Sequence, residues 1–269
     1  MSAQDERVAQ FHRLHAAGCF VMPNPWDVGS AVLLEQLGFP ALATTSAGYA
    51  WTRGRADKGI GLEEMLAHLA SIVDATSLPV NADFEGGYAV DPEQVGVNVT
   101  RAVATGIAGL SIEDSTGDDA NPLFPLGLAI ERVRAARAAI DATGTGVLLT
   151  ARSEGFVVGH PDLDDTILRL RAYAEAGADC VYAPRLDTAA QVSALVTAVA
   201  PTPVNLLVHT PFITVAQAAA LGVRRISVGG TLARVALLSF RAAAQEIADA
   251  GTFSRFADLI NPDVLFADR

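Results

Sequence analysis

Lysine and cysteine are nearly absent from this sequence. Lys58 is the single lysine among 19 basic residues in a chain of 269. A Schiff-base enzyme needs a lysine whose pKa is lowered by burial, whereas Lys58 lies in the polar segment RGRADKG. The two cysteines, Cys19 and Cys180, lie in apolar, strand-like contexts without a CxxC spacing. The sequence therefore argues against imine chemistry and against a disulfide framework.

Clustered positive charge and long apolar runs are also lacking. The formal net charge of −11 argues against nucleic acid as a partner, because phosphate binding requires clustered lysine and arginine. No segment has the roughly 18 consecutive apolar residues of a membrane span, and the charged N-terminal segment lacks the apolar stretch of a signal peptide. We therefore expect a cytoplasmic protein that contacts neither nucleic acid nor a membrane. A small anionic substrate would have to be held by a metal ion or by a few arginines.

What the sequence does contain is an alternation of short apolar runs with alanine-rich stretches of helical periodicity. This alternation is typical of repeated βα units and a parallel sheet. An open sheet that binds a dinucleotide is the alternative, but no GxGxxG motif follows the first strand. We predict an α/β fold in which residues 1–269 form a single (β/α)8 TIM-type barrel with extra N-terminal and C-terminal helices.

The apolar runs and the helical stretches assign the elements of this barrel. Eight strands are predicted, at residues 19–23, 41–44, 80–83, 109–113, 146–151, 180–183, 204–208 and 225–228. Helices are predicted at residues 27–37, 62–75, 92–105, 127–142, 162–176, 188–199, 214–221 and 231–249, with a leading helix near 4–17. The C-terminal segment 231–269 has an apolar side left over, so it either covers the barrel or packs on a neighbouring subunit.

Acidic side chains follow the third and fourth predicted strands. Because catalytic residues of such barrels lie at the C-terminal ends of the strands, these acids are expected to meet at one rim; they are Asp83, Glu85, Glu113 and Asp114. Oxygen ligands without a nearby histidine suit Mg²⁺, with Mn²⁺ as an alternative, rather than zinc. We expect Asp83 to bind the metal directly and three neighbours to act through water: Asn81, Glu85 and Glu113.

Other polar groups are expected at the same rim. Arg152 ends an apolar strand, where an unpaired guanidinium would be unfavourable, so it needs Glu113, Glu154 or a substrate carboxylate as its partner. The segment TTSAGYA, residues 44–50, offers hydroxyl and N–H groups in a tight turn that suits an oxyanion. Asn205 and His209 are candidate substrate donors after the seventh strand, although a structural role for His209 is equally open.

Taken together, six motifs resemble the isocitrate lyase/phosphoenolpyruvate mutase superfamily in order and spacing over nearly the whole chain. They are NPWD at 24–27, TTSAG at 44–48, RADKG at 55–59, NADFEGGY at 81–88, SIEDS at 111–115 and TAR at 150–152. The resemblance implies a barrel with one helix exchanged between paired subunits, usually in a homo-oligomer that is a dimer of dimers. It also implies a Mg²⁺ ion that holds a 2-oxo acid or its enolate.

The resemblance further implies roles for particular residues. Asp83 would bind the metal, with Asn81 and Glu113 around it, and Arg152 would take the substrate carboxylate. Asp57 would be the acid of a mobile loop that faces the reacting group. The residues implied to hold the carboxylate and oxo group are Ser46, Ala47 and Gly48.

The chain departs from this family at two places that bear on activity. Residues 115–127, STGDDANPLFPLG, contain neither the cysteine loop of the C–C lyases nor the lysine of the mutase branch, of which only Asn121 matches a part. Asn81 replaces the usual first acid of the metal motif. We therefore predict a Mg²⁺-dependent lyase of the oxaloacetate decarboxylase kind that acts on a small 2-oxo dicarboxylate. The alternatives are P–C bond chemistry on phosphonopyruvate and a 2-oxo acid binding protein without catalysis.

Overall fold

The computed structural model describes residues 2–267. In that range the strands are β1 Phe20–Val21, β2 Leu42–Ala43, β3 Val80–Asp83, β4 Gly109–Glu113, β5 Leu148–Arg152, β6 Cys180–Tyr182, β7 Val204–Leu207 and β8 Arg225–Ser227. The helices are α1 Ala3–Ala16, α2 Val28–Gln36, α3 Ser46–Thr52, α4 Leu62–Ala75, α5 Pro92–Val103, α6 Leu126–Thr143, α7 Leu163–Glu175, α8 Ala189–Val199, α9 Val215–Ala220 and α10 Thr231–Ala250. Two short 3₁₀ helices follow, Ser254–Phe256 and Pro262–Leu265.

The strands form one parallel sheet that curls into a TIM-type barrel. Neighbouring strands pair in the order β2-β3-β4-β5-β6-β7-β8-β1. The two remaining edges meet where the Ala43 N–H donates to the Pro23 carbonyl at 3.0 Å. The Asn24 side chain also donates to the Thr44 carbonyl at 2.9 Å. The predicted fold class is confirmed, and each of the eight predicted strands overlaps an observed one.

Local sequence explains where many of the helices begin and end. Side chains that accept a hydrogen bond from the first turn satisfy N–H groups that have no partner within the helix; they are Ser2, Asp27, Thr45, Asp91, Asp162, Thr188 and Thr214. Gly144 and Gly251 end α6 and α10 in the left-handed conformation that glycine adopts readily. Among the helices of residues 2–267, none combines the length and apolarity needed to cross a bilayer.

Helix α1 closes the N-terminal end of the barrel. Its Phe11 is fully buried, and the ring lies so close to Gly109 that a Cβ there would be 2.6 Å from Phe11 Cε1 and 2.8 Å from Asn81 Oδ1. On the exposed side of α1, the His12 ring lies 2.8 Å from the Gly146 carbonyl. The position of Gly109 therefore requires glycine because of close approach, and the accessible end of the barrel is the C-terminal one.

Helix α3 was not predicted. The sequence suggests a tight turn over residues 44–50, but the structure has a seven-residue helix from Ser46 to Thr52. Its first turn is capped by Thr45, whose hydroxyl accepts the Gly48 N–H at 3.2 Å. The predicted tight turn was therefore wrong, since this segment begins a helix in which the Gly48 N–H donates to Thr45 and the Ser46 N–H donates to Asp83.

The segment after β8 contributes little to the barrel core. Among the 20 residues of α10, Ala233 is the buried one. Large apolar side chains on α10 and beyond it are exposed; they include Val235, Leu238, Phe240, Phe253, Phe256, Leu259, Ile260 and Val264. These exposed side chains lie on the C-terminal segment 231–269, for which the sequence analysis predicted an apolar side.

Candidate active site

The C-terminal ends of the strands surround a pocket of about 260 Å³. Most of the residues predicted for the site line it: Ser46, Ala47, Asp57, Asn81, Asp83, Glu85, Glu113, Arg152 and Asn205. Gly48 instead faces Trp26 and Ala233 behind α3. His209 is half-buried and stands outside the group of residues that line the pocket. The barrel thus brings the predicted acids, Arg152 and the start of α3 to one place.

Asp83 occupies the centre of the hydrogen-bond network. Its Oδ1 accepts from Arg152 Nη1 at 2.7 Å, and its Oδ2 accepts from both the backbone N–H and the hydroxyl of Ser46 at 3.0 Å. The Asp83 N–H in turn donates to the Thr44 hydroxyl at 2.9 Å. These contacts fix the carboxylate at the end of β3 and tie it to the start of α3.

Arg152 joins three carboxylates from three strand ends. Its guanidinium lies 2.7 Å from Asp83, 2.8 Å from Glu154 and 3.3 Å from Glu113. The guanidinium carbon also stands 5.0 Å from the centre of the Tyr182 ring. Burial opposes the charge of Arg152, but Glu154, Glu113 and Asp83 together raise its pKa above its ordinary value. Arg152 is therefore a permanent cation at the pocket wall, as the sequence required of a guanidinium that ends an apolar strand.

Lys58 reaches the site from the loop between α3 and α4. Its Nζ lies 3.3 Å from Glu113 and donates to the Ser115 hydroxyl at 2.7 Å. The neighbouring Asp57 also lines the pocket; burial raises its pKa and the charge of Asp83 raises it further. Sequence reasoning missed Lys58 as a site residue because polar loop composition does not reveal where the loop folds.

Burial and neighbouring carboxylates oppose the ionisation of the remaining acids. Burial raises the pKa of Glu85 to about 8, and Asp83 and Glu113 raise it in the same direction. Burial likewise raises the pKa of Glu113, against the effect of Arg152 and Lys58. Glu85 Oε1 is buried and has no hydrogen-bond partner within residues 2–267. These carboxylates therefore provide a surrounding in which added positive charge would be favourable.

The donor set fits a hydrated Mg²⁺, although no ready-made metal cluster is formed. No three histidine, cysteine or acidic side chains of residues 2–267 converge as a metal-binding group. Mg²⁺, however, keeps several waters and often takes only one or two carboxylates. Asp83 on the pocket wall, with Glu85 and Glu113 beside it, meets that requirement. Glu85 Oε1 has no hydrogen-bond partner within residues 2–267 and is therefore available to bind the hydrated ion.

Asp114 does not join this group. The sequence analysis placed it with the other acids, but its side chain accepts from Tyr173 Oη at 2.7 Å and from the Glu154 N–H at 2.8 Å. Arg169 also approaches it at 3.3 Å. Since side chains alternate along a strand, the residue after Glu113 points away from the barrel interior. Asp114 therefore anchors α7 and the Glu154 backbone rather than lining the pocket.

On the side of the pocket formed by β6 to β8, the available hydrogen-bond donors are not the predicted Asn205 and His209. The Asn205 amide is engaged at both ends, because its oxygen accepts from Arg225 Nε at 3.0 Å and its nitrogen donates to Ser227 Oγ at 2.9 Å. Arg185 and Arg234 line the pocket as well, and next to burial their charges lower the pKa of nearby His209. The sequence analysis assigned neither arginine a role in the site, because Arg185 lies three residues beyond β6 and Arg234 lies within α10.

A pocket lined by carboxylates, a strand-end arginine and loop residues at the C-terminal rim of an α/β barrel is the usual arrangement of barrel enzymes that bind small molecules. Residues 11–248 match the family model for phosphoenolpyruvate phosphomutase. The chain belongs to this family and thus to the isocitrate lyase/phosphoenolpyruvate mutase superfamily, as the motifs predicted.

Similar proteins place the chain within this superfamily. A crystal structure from Burkholderia cenocepacia J2315, provisionally named a lyase/mutase, is 42% identical with a TM-score of 0.96 and covers 99% of this chain and 97% of that one. An oxaloacetate acetylhydrolase in complex with oxalate is 27% identical with a TM-score of 0.87, over 98% of this chain and 93% of that one. An oxaloacetate decarboxylase of Bradyrhizobium sp. (strain ORS 278) is 32% identical over 189 residues, which are 65% of this chain and 62% of the relative.

Proposed function

We propose that the protein is a Mg²⁺-dependent lyase that cleaves a C–C bond of a small 2-oxo dicarboxylate, as an oxaloacetate decarboxylase does. The observation that carries the proposal is the arrangement of Arg152, Asp83 and Ser46 within hydrogen-bond distance of one another on the pocket wall. A guanidinium fork suits a carboxylate, and a carboxylate suits a metal. One side of the pocket thus has the groups that a 2-oxo acid requires.

The charges around the pocket favour an anionic substrate bound together with a cation. The acids that line it are Asp57, Asp83, Glu85, Glu113 and Glu154, and the basic residues are Lys58, Arg152, Arg185, Arg225 and Arg234. Burial raises the pKa values of four of these acids, so part of their negative charge is suppressed by bound protons. A divalent cation would favour the ionised acids, and the basic residues would face the carboxylates of the substrate.

Different side chains of the pocket would bind the substrate and the metal. Arg152 and the Ser46 hydroxyl would hold the carboxylate next to the 2-oxo group, with Asp83 as the direct Mg²⁺ ligand and with Glu85 and Glu113 acting through water. Mg²⁺ would supply the positive charge that polarises the 2-oxo group and favours an enolate. The bond to the distal carboxylate would then break, CO₂ would leave, and its electron pair would remain on the enolate.

The loop that carries Asp57 and Lys58 would complete the reaction. Lys58 contacts Glu113 and Ser115, and a loop held there would limit the access of water while an enolate exists. Asp57 lines the pocket with a raised pKa, so it would be the proton donor to the enolate carbon, with water as the other source. Neither donor requires the cysteine that the chain lacks.

P–C bond chemistry is the second candidate, and the matched family model supports it. The segment 115–127 contains no lysine, which makes a phosphoryl group harder to hold. A non-catalytic 2-oxo acid binding protein is the third candidate. Such a protein would bind 2-oxo acids but form no product from them, and its binding would not depend on Mg²⁺.

A substrate screen tests these candidates. The purified chain is incubated with oxaloacetate, phosphonopyruvate, 2-methylisocitrate or a simple 2-oxo acid, with Mg²⁺ or with EDTA, and pyruvate and phosphoenolpyruvate are measured against the uncatalysed rate. We expect Mg²⁺-dependent pyruvate from oxaloacetate and its loss in Asp83→Ala, while the exposed variant Asp141→Ala keeps it. Turnover of phosphonopyruvate alone would replace the first candidate by the second. Full activity of Asp83→Ala would refute the metal assignment.

A further inference from the structure

Arg225 is a cation inside the barrel, below the proposed metal site. It begins β8 and is 1% exposed. Its Nη2 donates to the Thr150 hydroxyl at 2.8 Å, its Nε to Asn205 Oδ1 at 3.0 Å, and its Nη1 to Asn81 Oδ1 at 3.3 Å. The His15 ring stands 3.4 Å from the same Nη1. All of these partners are side chains without a formal negative charge.

No carboxylate within residues 2–267 forms an ion pair with this guanidinium. A buried charge without a counterion is unfavourable unless its hydrogen bonds are satisfied and the wider field compensates it. Arg225 meets the first condition through its neutral acceptors, but burial still lowers its pKa. The arrangement leaves the guanidinium ready to pair with any carboxylate placed where an acceptor now stands.

Asn81 is one of these acceptors, and it lies two residues before Asp83 on β3. Side chains at this spacing point to the same face of a strand, so position 81 shares the barrel interior with Asp83. The Asn81 oxygen accepts from Arg225, while its amide nitrogen donates to the Ala82 carbonyl at 3.2 Å. Both ends of the side chain are thus engaged by groups of the protein, and its oxygen is directed to Arg225.

We propose that Arg225 is a positioning residue that holds the side chain at position 81 out of the metal shell. Its guanidinium binds the Asn81 oxygen and would bind an aspartate there even more strongly, as an ion pair. Asn81 and Arg225 thus form a unit that removes one ligand from the cation site and leaves Asp83 as its principal acid. This inference rests on the proposed metal site, and it replaces the expectation that Asn81 acts on the metal through water.

A double-mutant cycle with the metal alone tests this unit. Mn²⁺ is titrated into the purified full chain, free of other metals, and free Mn²⁺ is measured by its paramagnetic resonance signal. The variants are Asn81→Asp, Arg225→Gln and the double variant, since glutamine keeps N–H donors but removes the charge. Asn205→Asp, alone and with Arg225→Gln, is the matched control, because Asn205 accepts from the same guanidinium but lies on β7 rather than beside Asp83.

We expect Asn81→Asp to change the Kd for Mn²⁺ by less than about threefold while Arg225 is present, because the new carboxylate pairs with the guanidinium. In the Arg225→Gln background, the same substitution should tighten binding at least about tenfold, within the range of coupling between residues in contact. Asn205→Asp should have the same effect in both backgrounds. The thermal midpoint should rise in Asn81→Asp, since the buried cation gains a counterion.

Equal tightening by Asn81→Asp in the two backgrounds would overturn this inference and leave the proposed function intact. Absence of Mn²⁺ binding in the unmodified protein would overturn both. If Arg225→Gln does not fold, Asn81→Asp alone decides the matter. A tenfold tighter Kd in that single variant contradicts the proposal, whereas an unchanged Kd with a raised thermal midpoint supports it.

Discussion

The guanidinium of Arg152 contacts carboxylates at Asp83, Glu113 and Glu154. A lysine at this position would keep the charge but could not reproduce the planar fork that spans them. We therefore expect Arg152→Lys to lower kcat/KM for the substrate found by screening by the equivalent of about 2–5 kcal/mol, as is typical when a buried charge pair is broken. Steady-state kinetics provide the measurement. Arg101→Lys, in an exposed ion pair with Glu63, is the control that should change nothing; normal kinetics in Arg152→Lys would make Arg152 purely structural.

His68 is a second residue with a measurable consequence, this time for stability. It is buried, its ring stacks on Tyr49 with centroids 3.8 Å apart, and its Nε2 has no partner within residues 2–267. Burial lowers its pKa from 6.5 to about 4, although Asp27 opposes the shift. The unfolded chain therefore binds a proton first, so stability is fully present above pH 6.5 and declines toward pH 4.

The expected size of this effect is up to about 1.4 kcal/mol of unfolding free energy per pH unit for one proton. Denaturant unfolding between pH 7 and pH 4 measures it, and His68→Phe should make the decline shallower by that amount. Tyr49→Phe is the control, because it alters the same ring stack and keeps the imidazole. An identical pH dependence in His68→Phe and the unmodified protein would show that His68 does not titrate differently on folding.

At the scale of the elements, the packing of α1 against β4 requires a glycine at position 109. The apolar pattern of β4 alone does not explain this glycine. A Cβ on Gly109 would lie 2.6 Å from the Phe11 ring of α1, so Gly109→Ala must displace α1 or the strand. Overpacking of this kind costs about 1–3 kcal/mol, and denaturant unfolding should detect it. Gly127→Ala in α6 is the matched control, since a Cβ there meets nothing within 4 Å and alanine favours a helix. Equal stability of the two variants would contradict the close packing of α1.

The elements also show which features of the fold and the site could be predicted from the sequence. The strands were predictable because each is a short run of residues buried on both faces, and the acids at the ends of β3 and β4 followed from where parallel strands end. The direction of Asp114 was not predictable in the same way, since it depends on Tyr173 and Arg169, which are distant in sequence. Lys58 and the Arg225 network were missed for the same reason, because loop closure and contacts across a barrel leave no local pattern.

At the scale of the whole molecule, the charge of the pocket differs from that of the chain. The chain has a formal net charge of −11, whereas the ionisable residues that line the pocket are balanced in sign. An anion that would be repelled by the average surface therefore meets local arginines at the open end of the barrel. The sequence analysis anticipated this need for local positive charge, and Arg234, which supplies part of it, became evident only from the structure.

The exposed apolar side chains of α10 and the segment after it have a consequence for assembly. Phe240 and Leu259 are each 72% exposed, and Phe253 is 58% exposed. Large apolar side chains exposed together often mark an interface. We propose that this segment packs on a second copy of the chain and that the protein is a homo-oligomer, expected as a dimer of dimers from the family resemblance.

Light scattering after size exclusion should give a multiple of the 28.0 kDa chain mass. Phe240→Asp should reduce that mass, because an ionised carboxylate is unfavourable in an apolar interface, while Leu168→Asp, at an exposed apolar position on α7, should not. A monomer at tens of micromolar, or equal behaviour of the two variants, would show that the apolar surface of α10 has another role.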